Sequence, residues 1–252
     1  MHVADALDAR EGTTCVVGAG GKKTTLRTLA AELDRAVLTA TVRIPIVDDW
    51  VSEVLVTDDP RPVVATSTDA ADGSTAAPPT ADGPIAVFPA RERRDRYAGY
   101  DPETVETLAD CGRPVLVKAD GARTRLLKAP ADHEPQLPRT ATTVVPVVSA
   151  RVVGKPLTDE WVHRVDRVAA LTGLQRGDRI GVNDVARVVA SERGGLQDVP
   201  TDATVVPLVN MVDDEALRAT GEEIAAAIHA RADVSRVVLA EMRADRPVVA
   251  VV

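Results

Sequence analysis

One stretch restricts the possible folds more than any other: Thr14-Cys15-Val16-Val17-Gly18-Ala19-Gly20-Gly21-Lys22-Lys23-Thr24-Thr25-Leu26. An apolar run meets three glycines in four residues, then two lysines and two threonines. Leu26, Leu29, Ala30 and Leu33 follow at helical spacing. The order predicts a buried strand, a tight glycine turn and a helix N-terminus. Glycine permits the positive φ such a turn needs. The free N–H groups and dipole at the helix start attract an anion, and Lys22 or Lys23 adds a full charge there. Gly18, Gly20, Gly21, Lys22, Lys23, Thr24 and Thr25 are therefore candidate phosphate contacts.

The string departs from the standard phosphate-loop pattern. Val16 stands where its first glycine belongs, and Lys23 fills the slot of the magnesium-holding hydroxyl, leaving Thr24 one residue late. The dinucleotide-binding pattern fits less well, since Lys23 occupies the place of its third glycine. An ordinary glycine-rich turn with solvated lysines is the bland alternative.

A second stretch complements the first. Val115-Leu116-Val117-Lys118-Ala119-Asp120-Gly121 reads as a central strand delivering a carboxylate to the carboxyl edge of the sheet, where parallel sheets bind ligands. Such an aspartate is placed to hold magnesium, with Thr24, beside a nucleotide. The following segment carries Arg123, Arg125, Lys128, Asp132, His133 and Glu134 between prolines, and reads as a long functional loop. Thr39, Thr41 and Arg43, at the end of the strand that follows the first helix, are second-rank phosphate or metal contacts. Asn210-x-x-Asp213 after another strand matches a guanine-reading signature, with Met211 in place of its lysine; a helix cap is the competing explanation.

The 252 residues, 45% of them hydrophobic, suffice for one large α/β domain with a mostly parallel sheet flanked by helices. Only five aromatics occur, so Val, Ala and Leu must build the core. Residues 57–84 read as a flexible acidic Pro/Ala/Thr loop holding a short strand at Val63–Thr66, and 157–200 as a small helical insertion with one helix over Asp159–Leu171. The net charge of −8, with 25 Arg against 5 Lys, fits a surface adapted to high salt. It argues against nucleic-acid or anionic-membrane partners, though not against one basic pocket. Cys15 and Cys111 lack partners at metal-ligand spacing and read as inert core thiols. The polar N-terminus and the lack of a long apolar run point to a cytoplasmic protein.

Gly18-Ala19-Gly20-Gly21-Lys22 with Thr24-Thr25-Leu26, and Lys118-Ala119-Asp120-Gly121-Ala122-Arg123 leading through Leu127-Lys128-Ala129-Pro130-Ala131-Asp132-His133-Glu134-Pro135, resemble the YqeC proteins. Val162-His163-Arg164 and Val209-Asn210-Met211-Val212-Asp213 fit the same layout, and the likeness is weakest across 45–100. At Lys23 the family more often carries a hydroxyl residue. The resemblance implies a P-loop-type accessory protein in the maturation of a selenium-containing molybdenum cofactor, working beside a molybdenum hydroxylase or cofactor-assembly proteins.

Three activities fit these residues. The first is a Mg2+-dependent ATP or GTP hydrolase, with Lys22 and Asp120 catalytic, Gly20 and Gly21 cradling phosphates, Asn210 and Asp213 reading the base, and Arg123 and Lys128 on further oxyanions. The second is a carrier of a phosphorylated molybdopterin-type cofactor. The third is a small-molecule kinase using the Asp132-His133-Glu134 loop as base.

Overall fold

The computed structural model describes residues 1–65 and 83–252. Ten segments enter one sheet: β1 (Thr13–Gly18), β2 (Val37–Ala40), β3 (Glu53–Val56), β4 (Ile85–Phe88), β5 (Val115–Lys118), β6 (Ala141–Ser149), β7 (Thr204–Val205), β8 (Leu208–Asn210), β9 (Val238–Ala240) and β10 (Val248–Val251). Their order is β10-β9-β8-β6-β1-β5-β2-β4-β3, with β7 pairing on β6. Every pairing is parallel except β9–β10. The expected α/β architecture with a mostly parallel sheet is what the chain adopts.

Period-two alternation sends side chains to two faces. Val16, Leu38, Ala86, Leu116 and Val145 lie beneath α1 (Lys22–Glu32). On the other face Cys15, Val17, Val37, Val115 and Val117 meet Val105 and Leu108. Both faces of the central strands are covered, which is why those strands read as unbroken apolar runs. Toward β9, the second face is covered by α2 (Val165–Thr172), α3 (Val182–Val189) and α4 (Glu215–His229), packed on Val148, Val209 and Leu239. Cys15 and Cys111 are buried free thiols.

Several local expectations change. Arg61–Val64 is a helical turn where a strand was expected at Val63–Thr66, because Pro62 in its first turn presets a helical φ. The rest of the loop expected over 57–84 lies largely outside the described residues. The helix expected from Asp159 begins only at Val165: Val162–His163 pairs in parallel with Leu127–Lys128, and Arg164 takes a left-handed φ of 64°. The strand expected over Ala203–Val209 divides into β7 and β8 next to Pro207, which has no N–H for a ladder. β3 carries an edge strand that periodicity did not single out. Among the described residues no helix is long and apolar enough to cross a membrane.

Candidate functional site

The sheet register assembles the site. Val16 pairs with Lys118, so two residues further along each strand Gly18 lies beside Asp120. On the other flank of β1, Gly18 pairs with Val147, and Asn210 pairs with Ser149. The carboxyl ends of β5, β1, β6 and β8 therefore converge on the glycine turn.

The glycines serve close packing. A Cβ on Gly18 would stand 2.4 Å from the Val147 carbonyl oxygen, and one on Gly21, at φ 142°, would stand 2.0 Å from Asn210 Nδ2. Three consecutive amides are already spent: Gly18 N–H donates to Asp120 Oδ2 (2.9 Å), Ala19 N–H to Val147 O (2.8 Å) and Gly20 N–H to Arg125 O (2.9 Å). The expected phosphate cradle at Gly20 thus gives its donor to the protein. Among the described residues, the amides of Gly21, Lys22, Lys23 and Thr24 have no acceptor, and they form the N-terminus of α1.

Beneath the turn lies a buried charge chain. Lys22 Nζ donates to the Gly18 carbonyl and stands 2.8 Å from Asp120 Oδ1. Lys128 Nζ bridges Asp120 Oδ2 and Glu134 Oε2, each at 2.7 Å, and Arg164 Nη1 reaches the same Glu134 oxygen at 2.7 Å. Asp120 Oδ1 has its charge partner but no directed hydrogen-bond donor. Burial pushes the Lys22 ammonium down while Asp120 opposes the shift. Burial also works to raise the Asp120 carboxyl, but Lys22 and Lys128 outweigh it and hold the group below its ordinary range. For Glu134 burial is likewise outweighed, by the Arg164 and Lys128 hydrogen bonds, and its carboxyl falls to about 2.

Above the chain opens a cleft of 1030 Å³ lined by Lys22, Lys23, Thr24, Arg43, Arg96, Lys118, Arg123, Arg125, Arg164 and Arg243, with Glu134 and Asp159 as its acids. Among the described residues, nine basic side chains face two carboxylates that are already paired, Glu134 as above and Asp159 with Arg176. Among the described residues Lys23, Lys118, Arg123, Arg125 and Arg243 have no carboxylate within ion-pair distance. On a chain of net charge −8 this is a local basic pocket. Lys118 donates to the Arg43 carbonyl (2.8 Å); burial, then nearby Lys22, lowers its ammonium to about 7. His163 is pushed to about 4, first by burial and then by Arg164, so its ring is neutral at pH 7.

The remaining candidates have other partners. Thr25 Oγ1 donates to Gly21 O (3.3 Å), Thr39 to Val87 O (2.9 Å) and Thr41 to Gln136 O (2.7 Å). Arg43, at the rim, pairs with Glu92. Arg123 lines the cleft from a left-handed φ of 47°. His133 is exposed and outside the cleft lining, and its neighbour Asp132 pairs with Arg167. Asn210, expected to read a base, spends both ends of its amide: Nδ2 donates to Gly20 O (2.8 Å) and Oδ1 accepts from Met242 N (3.2 Å). Asp213 pairs with Arg151 and is not among the cleft residues.

The reading of single segments placed Arg125 and Glu134 only as members of a functional loop and gave no site role to Lys118, His163, Arg164, Arg96 or Arg243. A lysine closing an apolar strand was a usable signal for Lys118. Nothing local marks Arg96 or Arg243, which reach the cleft through tertiary structure.

The sequence profile of the family described as "YqeC protein" matches residues 14–166. The chain is 30% identical over 124 residues to the "Uncharacterized protein YqeC" of Escherichia coli (strain K12), an alignment covering 48% of this chain and 48% of that protein, so the match spans about half of the relative's length. No solved structure matches. The glycine turn, Asp120 and the Lys128–Glu134–Arg164 links all lie within the matched span, and this chain belongs to the YqeC family.

Proposed function

We propose that the cleft binds a nucleoside triphosphate, ATP or GTP, with its phosphates on the open amides of Gly21 to Thr24 and on Lys22. The observation that carries this is the excess of nine basic over two already-paired acidic side chains around a helix N-terminus. Arg123, Arg125 and Lys118 add charge for further oxyanions.

Magnesium fits as a companion of the phosphates. Among the described residues no group of three or more His, Cys, Asp or Glu forms a cage, and Mg2+ commonly takes one or two carboxylates plus substrate phosphate. The Thr24 hydroxyl lines the cleft and would hold the ion, whereas Asp120 lies outside the lining with Lys22 and Lys128 at 2.8 and 2.7 Å from its two oxygens, so its carboxylate would contribute only its charge. Bound there, it would neutralise phosphoryl charge. Lys22, beside Asp120 at the start of α1, would add its charge to the phosphate site, and Lys128 keeps Asp120 ionised.

Asp120 and Glu134 are both held ionised by close cations, which makes them poor proton acceptors. This favours slow intrinsic hydrolysis, and it is the specific support for a second reading: a carrier of a phosphorylated molybdopterin-type cofactor. Either activity would serve maturation of a selenium-containing molybdenum cofactor, the role the family resemblance implies, with a molybdenum hydroxylase or an assembly protein as partner.

Isothermal titration with Mg-ATP and Mg-GTP tests the reading. Saturable binding is expected, weakened about tenfold or more in Lys22→Ala, which loses a charge-assisted phosphate contact. Absence of binding by both nucleotides, at low and at high salt, would refute it.

A further inference from the structure

A second groove, of 640 Å³, runs beside the main cleft and shares Lys23, Thr24 and Arg243 with it. It is lined by α1, at Arg27, Thr28, Ala31 and Glu32, by Trp50, and by the segment from Met242 to Pro247 that follows β9, which adds Asp245. Trp50 is half-buried, its side chain packed against the core cluster beneath α1 and its backbone N–H donating to the Val47 carbonyl (2.8 Å). The other four aromatic side chains are committed elsewhere. Phe88 and Tyr97 stack on each other at 4.7 Å, Tyr100 is buried, and Trp161 lies under the Lys155 ammonium at 4.6 Å.

The two sides of the groove are tied together. Asn210 holds the Gly20 carbonyl with one end of its amide and the Met242 N–H with the other. The phosphate-facing turn and the far wall of the groove therefore keep a fixed separation. Two grooves meet at Lys23 and Thr24, and among the described residues only this one has a Trp, Tyr or Phe side chain in its lining.

We propose that this groove receives the flat heterocycle of the phosphorylated ligand, a purine or a pterin, stacked against Trp50, with Arg243 at the junction between ring and phosphates. The assignment rests on reading the main cleft as a phosphate site. It moves ring recognition away from Asn210 and Asp213, whose side chains are occupied. Stacking tolerates any flat ring, so the groove selects heterocycle over no heterocycle more than one base over another.

The test uses the full chain carrying Trp161→Phe, which leaves Trp50 as the sole indole. Fluorescence and calorimetric titrations are run with Mg-ATP, Mg-GTP, 6-hydroxymethylpterin phosphate and inorganic tripolyphosphate. Nucleotide or pterin phosphate should quench Trp50, while tripolyphosphate should bind without quenching. Trp50→Ala should weaken nucleotide binding about tenfold and leave tripolyphosphate binding unchanged. Trp50→Phe, which keeps a stacking face, should restore most of the affinity and covers the case in which the alanine variant does not fold. Nucleotide binding that neither quenches Trp50 nor changes in Trp50→Phe and Trp50→Ala would overturn the ring assignment while the phosphate site stands. Failure of tripolyphosphate and of every nucleotide to bind would overturn both.

Discussion

Glu134 gives the most direct test of the buried charge chain. It is 8% exposed, and one oxygen accepts from both Lys128 and Arg164 at 2.7 Å. Glu134→Gln keeps the shape and removes the charge, leaving Arg164 unpaired and Lys128 with Asp120 alone. The native carboxyl falls from 4.5 to about 2 despite burial, because the two cations stabilise its ionised form. At about 1.4 kcal/mol per pH unit, that difference is worth about 3 kcal/mol. Removing one partner of a buried pair costs about 3–5 kcal/mol, which agrees. Since the folded value is depressed, the stabilisation is complete above the unfolded value of 4.5 and is lost as pH falls toward about 2. Urea denaturation of both proteins at pH 7, 5, 4 and 3 is the assay. The variant should be less stable by about 3 kcal/mol at pH 7, and the gap should narrow by about 1–2 kcal/mol at pH 3. A gap below about 1 kcal/mol at pH 7, or one independent of pH, would refute a load-sharing role for Glu134.

Other outcomes follow from the same geometry. Asn210→Ala strands the Gly20 carbonyl and the Met242 N–H, each costing about 1–3 kcal/mol, so the melting temperature should drop by several degrees and nucleotide affinity should fall with it. Lys118, lowered to about 7, is largely neutral at pH 8. An arriving phosphate should draw a proton onto it, so calorimetry at pH 8 in buffers of different ionisation heat should show proton uptake that Lys118→Met removes. Cys15 and Cys111 are buried with thiols pushed up by burial, so neither should react with a thiol reagent until the protein unfolds.

The parallel sheet was readable because its central strands are covered on both faces and so appear as continuous apolar runs: Cys15–Val17, Val115–Val117 and Thr142–Val148 stand out against their polar flanks. Lys22 and Asp120 were readable as neighbours because Asp120 follows one such run and Lys22 opens the helix after the glycine turn that ends another. The roles of Asn210 and Glu134 were less accessible. Asn210-x-x-Asp213 has the spacing of a base-reading loop, yet what Asn210 touches depends on the register Asn210–Ser149 and on a turn 190 residues earlier in the chain. Glu134 sits beside His133 in the sequence, and only the fold shows which of the two turns inward. Arg43, Arg96, Arg123 and Arg243 meet from four separate segments, a convergence no local window contains.

The bend between β1 and α1 is fastened on three sides: Gly18 to the mid-sheet carboxylate, Ala19 to β6, and Gly20 to both the Arg125 carbonyl and the Asn210 amide. A receptor so braced spends little conformational entropy on docking, and among the described residues its Gly21 to Thr24 amides have no acceptor before any guest arrives. Affinity gained this way needs no folding of the turn around the anion. Association should therefore proceed in one step, with rates set by electrostatic steering and sensitive to ionic strength.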